Sequence, residues 1–211
     1  MTVDTKMPVT IEERLEYGDE MRLPASWDEF LDLLETCEYR VEYDDGEIIS
    51  FMGYASELHE ILVAEIIRLL GNILSPNEYR VSGSNLALHI PGFSKKYYNA
   101  DCAVVKGPSE KVALRGNMTA VANPVLLVEV LSFSTRGHDL GRKLRDYRKI
   151  PSLQQILFIE SSEMYLVSHT RHNGGDEWLL KDFSSEKDSV PVLGEGTFTL
   201  GELYRKVEFE G

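Results

Sequence analysis

Residues 123–159 read NPVLLVEVLSFSTRGHDLGRKLRDYRKIPSLQQILFI. The run from Val125 to Leu131 is almost continuously apolar, as expected of a strand covered on both faces. It carries one carboxylate, Glu129. A polar turn follows, then a helix over residues 137–149 that Pro151 stops. Asp139, Lys143 and Tyr147 recur at four-residue spacing, so they share one face of that helix. A second apolar run over residues 154–160 reads as the next strand. An acid on a buried strand is costly unless something positive meets it, which here means a metal, a lysine, or both.

Upstream, YYNADCAVV (residues 97–105) reads as another strand and sets Asp101 in a similar apolar setting. Farther out, Ser26 and Glu29 form a capping box, which predicts a helix over residues 27–36. YRVEYDDGEIISF alternates around Asp45-Gly46 and predicts a hairpin with strands at 39–43 and 47–51. Ser56 is placed to cap a helix whose apolar positions include Leu58, Ile61, Leu62, Ile66, Leu69 and Leu70. Residues 79–90 read as one strand and residues 107–123 as a long loop. Short strands at 164–170, 177–183 and 190–192 and a helix over 200–206 close the chain. The first 24 residues read as a polar, irregular N-terminal arm, leaving residues 25–211 as a single domain. The fold class is α/β (α+β): a central mixed β-sheet flanked by helices, with an N-terminal helix and β-hairpin appendage.

Composition narrows the function. The chain has 211 residues with a net charge of −13, awkward for a protein that grips duplex DNA through its phosphates. The most basic stretch, RGHDLGRKLRDYRK over residues 136–149, nevertheless borders Glu129. Two cysteines, Cys37 and Cys102, make no disulfide framework and fit a reducing cytoplasm; Cys102 reads as a small buried strand residue. No apolar run is long enough to span a bilayer, and the N-terminus lacks the apolar core of a signal peptide.

Asp101 and Glu129 on neighbouring strands, with Lys143 on the helix, are the equipment of a magnesium-dependent phosphodiesterase. Two carboxylates with an open rim suit a hard divalent ion, Mg²⁺ or Mn²⁺, and the Val130 carbonyl offers a third oxygen. Lys143 would orient the attacking water or stabilise charge on the phosphorane. The plain alternatives stay open. Asp101 can be a strand-entry aspartate, Glu129 a structural ion pair with a helix lysine, and Asp139–Lys143 a surface pair. Ser132, Ser134 and Thr135 line the turn, where one is expected to cap the helix. His138 reads as a surface residue. Glu57 and His59, in the first turn of the long helix, and Glu47, on the hairpin, are secondary candidates, as are Asp139 and Tyr147. A pair of carboxylates could also serve a glycosidase, but nothing suggests a sugar-stacking cleft.

YYNADCAVV together with EVLSFSTRGHDLGRKLRDYRKIPSLQQILFI resembles the bacterial "putative restriction endonuclease" family, a branch of the PD-(D/E)XK nuclease superfamily. That family carries a strand with P-D, then E-V-L-S-x-S-T, then a helix with D-x-x-x-K-x-x-x-Y. DGEIISFMG with His59 after it, and the closing GTFTLGELY, also resemble the family, so the likeness runs from about Ser26 to Tyr204. The resemblance implies a restriction-endonuclease-like fold and a Mg²⁺- or Mn²⁺-dependent endodeoxyribonuclease, a hydrolase acting on ester bonds. Its partner would be nucleic acid, DNA foremost, with no membrane. Cutting both strands calls for two sites, which a homodimer could supply, although no residue of the sequence proves one. Asp101, Glu129 and Lys143 take the catalytic positions, and Asp101, Glu129 and Val130 the metal positions. The chain departs from the superfamily pattern in two places. Leu131 stands where the motif lysine would, and Ala100 where proline would precede the aspartate. Lys143 on the helix then replaces the strand lysine. The alternative is a catalytically inactive nuclease-fold protein that binds nucleic acid or a protein.

Overall fold

The computed structural model describes residues 7–51, 57–93 and 95–209. Thr10 starts the first helix, α1 (Ile11–Leu15), through a capping box with Glu13. Strand β1 (Glu20–Pro24) follows, then α2 (Trp27–Thr36), started by the same device at Ser26 and Glu29. Strands β2 (Glu42–Asp44) and β3 (Glu47–Phe51) are joined by a two-residue turn in which Asp45 and Gly46 both have positive φ. That left-handed pair matches the strand twist, and Asp-Gly adopts it at low cost. Helix α3 (Glu57–Ile73) leads to β4 (Tyr79–Gly83), β5 (Ala87–Leu88), β6 (Lys96–Asn99) and β7 (Cys102–Lys106). Next come β8 (Lys111–Ala113), β9 (Thr119–Val121) and the long strand β10 (Pro124–Leu131). One helical segment then runs through three parts: α4 (Arg136–His138), a π-helical turn (Asp139–Lys143) and α5 (Leu144–Tyr147). Strands β11 (Gln155–Glu160), β12 (Leu166–Arg171), β13 (Trp178–Phe183), β14 (Ser189–Val192) and β15 (Gly196–Thr199) and helix α6 (Leu200–Leu203) complete the chain.

The strands form a six-stranded mixed sheet, β13-β12-β11-β10-β7-β4, a seven-stranded sheet, β1-β3-β2-β6-β5-β9-β8, and the small pair β14-β15. Strand β10 lies parallel to β11 and antiparallel to β7, and all its residues are buried. Its alternation divides two cores. Leu126, Val128 and Val130 join the cluster that includes Leu62, Ile66 and Leu70 of α3 and Leu200 of α6. Leu127 and Leu131 join Tyr98, Tyr147 and Phe158 on the other face. Glu129 lies between Leu127 and Leu131 in sequence, so the same two-residue period turns it toward Tyr147. A third cluster packs Phe30, Leu31 and Leu33 of α2 against Tyr43 and Tyr97 of the seven-stranded sheet.

Several expectations change. Two runs read as single strands each break in two. Residues 79–90 give β4 in one sheet and β5 in the other, and residues 97–105 give β6 and β7, again in different sheets. The break in the second run falls at Ala100-Asp101, which puts Asp101 where the chain crosses between sheets. The loop expected over 107–123 contains the β8–β9 hairpin. The segment expected to be irregular contains α1 and β1, and β1 pairs with β3 along its whole length. The hairpin β2–β3 is built into the seven-stranded sheet through the pairing of β2 with β6. The expected Ser56 cap lies outside the described residues.

Candidate active site

Asp101 sits where β7 begins beside β10. Its N–H donates to the Val128 carbonyl at 3.0 Å, and its Oδ2 accepts from the Val130 N–H at 2.9 Å. Residues two apart on a strand point their backbone groups to the same edge. The Val130 carbonyl therefore faces the edge that holds Asp101. Glu129 is next to it on the strand, with only 1% of its surface exposed. The crossing of the chain between sheets thus brings the two carboxylates to one place.

The π-helical turn supplies the third component. The Leu144 N–H donates to the Asp139 carbonyl, five residues back, which widens the helix by one residue at this point. Asp139 and Lys143 both point inward and both are buried. Lys143 Nζ lies 2.9 Å from Glu129 Oε1, 3.1 Å from Asp139 Oδ1 and 3.2 Å from Glu42 Oε1, and donates to the Asn99 carbonyl at 3.0 Å. The Tyr147 hydroxyl donates to Glu129 Oε1 at 2.6 Å. Asp101 has its own partners: Arg40 Nη1 at 3.0 Å from Oδ1 and His59 Nε2 at 3.4 Å from Oδ2. His138 Nε2 meets Glu42 Oε2 at 2.9 Å.

A cavity of about 320 Å³ opens over these groups, with Arg40, Glu42, Asp101, Glu129, Asp139 and Lys143 in its wall. His59 and the turn residues Ser132, Ser134 and Thr135 form part of its rim. Four buried carboxylates face two permanent cations, Arg40 and Lys143. Burial opposes ionisation of Asp101, but the His59 hydrogen bond and the charges of Arg40, His59 and Lys143 outweigh it and hold the carboxyl below its ordinary range. Burial likewise opposes Glu42, yet Lys143, the His138 hydrogen bond and Arg40 bring it down to about 2. Glu129 goes the other way. Burial, with Asp139 and Asp101 adding to it, overcomes the pull of Lys143 and raises it to about 8. Lys143 is held well above its usual value, because its carboxylates outweigh its burial, so it is a fixed positive charge and not a base.

An excess of buried negative charge lined with hard oxygen donors fits a small divalent cation. The donors available are the carboxylates of Asp101 and Glu129 and the Val130 carbonyl. Among the described residues, no three His, Cys, Asp or Glu side chains are grouped to hold a metal. A set of two carboxylates and one carbonyl is what an ion that keeps several waters requires.

The structure therefore brings together Asp101, Glu129, Val130, Asp139, Lys143, Tyr147 and His59. It leaves Glu47 outside the cavity wall, 3.5 Å from Arg22, and leaves Glu57 on the exposed start of α3. His138, expected at the surface, is buried against Glu42. Thr135 makes no side-chain cap; Ser132, Ser134 and Thr135 bond one another, at 3.2 Å for Ser132–Ser134 and 3.1 Å for Ser132–Thr135. Sequence reasoning missed Arg40 and Glu42. A signal was present: around the hairpin, Arg40, Glu42 and Asp44 alternate with Val41 and Tyr43, placing three charges on one face of a strand whose neighbours are apolar.

Comparison with known proteins places this architecture. A family model described as "Uma2: Putative restriction endonuclease" matches residues 27–200. Two Synechocystis sp. proteins, both described as uncharacterized, are similar along most of their length. One, sll1609, is 33% identical over 77% of this chain and 89% of its own length. The other, slr1290, is 28% identical over 86% and 92%. The crystal structure of a protein from Anabaena variabilis, described as a putative nuclease belonging to DUF820, superposes with a TM-score of 0.66. It has 19% identity and covers 86% of this chain and 98% of that one, a likeness of fold. The chain belongs to the Uma2 putative restriction endonuclease family.

Proposed function

We propose that this member of the Uma2 family is a metal-dependent nuclease that hydrolyses phosphodiester bonds in nucleic acid, DNA first, at the cavity over Asp101, Glu129 and Lys143. The observation that carries the reading is the convergence of those three residues on one cavity whose buried carboxylates outnumber its permanent cations. Asp101, Glu129 and the Val130 carbonyl would hold Mg²⁺ or Mn²⁺. Such an ion, when bound, supplies Lewis acidity and lowers the pKa of its water. Lys143 keeps its charge and stabilises the negative charge that builds on the phosphoryl oxygens. Tyr147 fixes one oxygen of Glu129, and His59 and Arg40 fix Asp101, so that the carboxylates need not reorganise during the reaction. His138 anchors Glu42, which in turn helps aim Lys143.

The two free cysteines are in keeping with a cytoplasmic enzyme, and no helix among the described residues is long and apolar enough to cross a membrane. Cutting both strands of a duplex takes two such sites, which a homodimer would supply. The test is cleavage of labelled single- and double-stranded DNA in Mg²⁺ or Mn²⁺, with chelator and Asp101→Asn as controls. Metal-dependent cleavage lost in the variant supports the reading; no cleavage, or equal cleavage by the variant, rejects it.

A second reading, a nuclease-fold binding protein without catalysis, draws on one feature: Asp101 and Glu129 are already paired with cations of the chain itself. It predicts no Mn²⁺ binding that depends on Asp101, which calorimetric titration measures directly.

A further inference from the structure

The turn that closes the cavity rim carries a residue the site chemistry does not use. Phe133 lies between Ser132 and Ser134, four residues beyond Glu129, and its ring is as exposed as in an extended chain. Among the described residues it is the most exposed of the large apolar side chains. Its neighbours on both sides line the cavity. The turn is held in place: Ser132 Oγ lies 3.2 Å from Ser134 Oγ and 3.1 Å from Thr135 Oγ1, and the Arg136 N–H donates to the Ser132 carbonyl at 3.0 Å. An aromatic ring left wholly in water contributes nothing to the core, and here a fixed turn carries it between two residues of the cavity rim, the ring itself lying outside the cavity wall.

We propose that Phe133 is a stacking platform for an unpaired nucleobase of the strand being cut, next to the scissile phosphate. This rests on the nuclease reading above and adds a substrate class to it: strands with unpaired bases at the site, in preference to intact duplex. Two physical points favour a base over a protein partner. A lone ring beside a rim of hydroxyl groups offers one aromatic face, which is what a single base needs. A stable protein interface instead requires a contiguous patch of about 800 Å² on each side. The second point is charge. At a net charge of −13, the chain is poorly equipped to draw its affinity from phosphate contacts. Stacking is largely indifferent to charge, and every base has a π-face to offer.

The experiment measures KM and kcat of the full chain, in Mn²⁺, for a labelled single strand and for a duplex of the same sequence, at two salt concentrations. It compares the wild type with Phe133→Ala, Phe133→Trp and Phe133→Leu. Phe133→Ala is expected to raise KM for the single strand about tenfold, equally at both salt concentrations, with kcat little changed. Phe133→Trp should restore KM, and Phe133→Leu should not. Equal KM for wild type and Phe133→Ala on the single strand overturns the stacking role while leaving the nuclease reading intact. So does rescue by Phe133→Leu, which would make the ring a structural filler. A concentration-dependent dimer lost in Phe133→Ala, with KM unchanged, would assign the ring to a second copy of the chain. A wild type that cuts neither substrate removes the nuclease reading and this inference with it.

Discussion

Lys143 meets four acceptors with three protons: Glu129, Glu42, Asp139 and the Asn99 carbonyl all lie within 3.2 Å of its Nζ. Buried ion clusters are held by mutual attraction against a desolvation cost of several kcal/mol per ion, so removing the central cation leaves the carboxylates uncompensated. Lys143→Met is expected to lower stability by about 3 kcal/mol, roughly 10 °C in Tm, and cleavage by at least about a hundredfold. Thermal melts and initial rates check the two effects separately. His169 gives a second prediction, remote from the cavity. Burial and the nearby Arg148 guanidinium, whose Nη2 lies 2.8 Å from Nδ1, bring His169 down to about 4. Its unfolded value is about 6.5, so the native state binds fewer protons between those two values. The stability it permits is complete above about pH 6.5 and is lost as the pH falls toward about 4. The loss should be of order 2 kcal/mol, and His169→Gln should show a shallower drop in Tm between pH 7.5 and pH 4.5.

At the scale of elements, the site is built by three joins: β7 against β10, β2 against the π-helical turn, and α3 against Asp101. The first join and the position of the lysine-bearing helix were legible in the sequence, because an acid in VLLVEV and a D-x-x-x-K-x-x-x-Y face are strong local patterns. The helix over 27–36 was legible to the residue, through its capping box. The points where strands change sheet were not, since a two-residue period continues unbroken across Ala100 while the chain turns from one partner to another. The π-helical turn was hidden for a similar reason: four-residue spacing of Asp139, Lys143 and Tyr147 fits an α-helix equally well. Arg40 and Glu42 required knowing that the hairpin faces β10. A second ionic join strengthens the same contact. Lys96 Nζ lies 2.5 Å from Asp44 and 2.6 Å from Asp146, linking β2 and β6 to α5 with all three groups buried. Asp44 keeps Arg142 at 3.0 Å and Asp146 keeps Lys149 at 2.8 Å, so Lys96→Met should cost less than Lys143→Met, about 2 kcal/mol, and the triple change Lys96→Met, Asp44→Asn, Asp146→Asn should recover part of it. Urea unfolding of the two variants gives both numbers.

For the molecule as a whole, two large sheets and three apolar clusters frame a small polar cavity lined with buried charges. Asp101, Glu129 and Lys143 are proposed to form a metal-dependent hydrolytic site. Its most direct test is the rate of cleavage of a labelled oligonucleotide as a function of Mn²⁺ concentration, for the wild type and Asp101→Asn at equal folded concentration. A saturable, Mn²⁺-dependent rate is expected for the wild type, with a loss of about a hundredfold or more in the variant. A wild-type rate that does not respond to Mn²⁺, or a variant that cuts as fast, would contradict it.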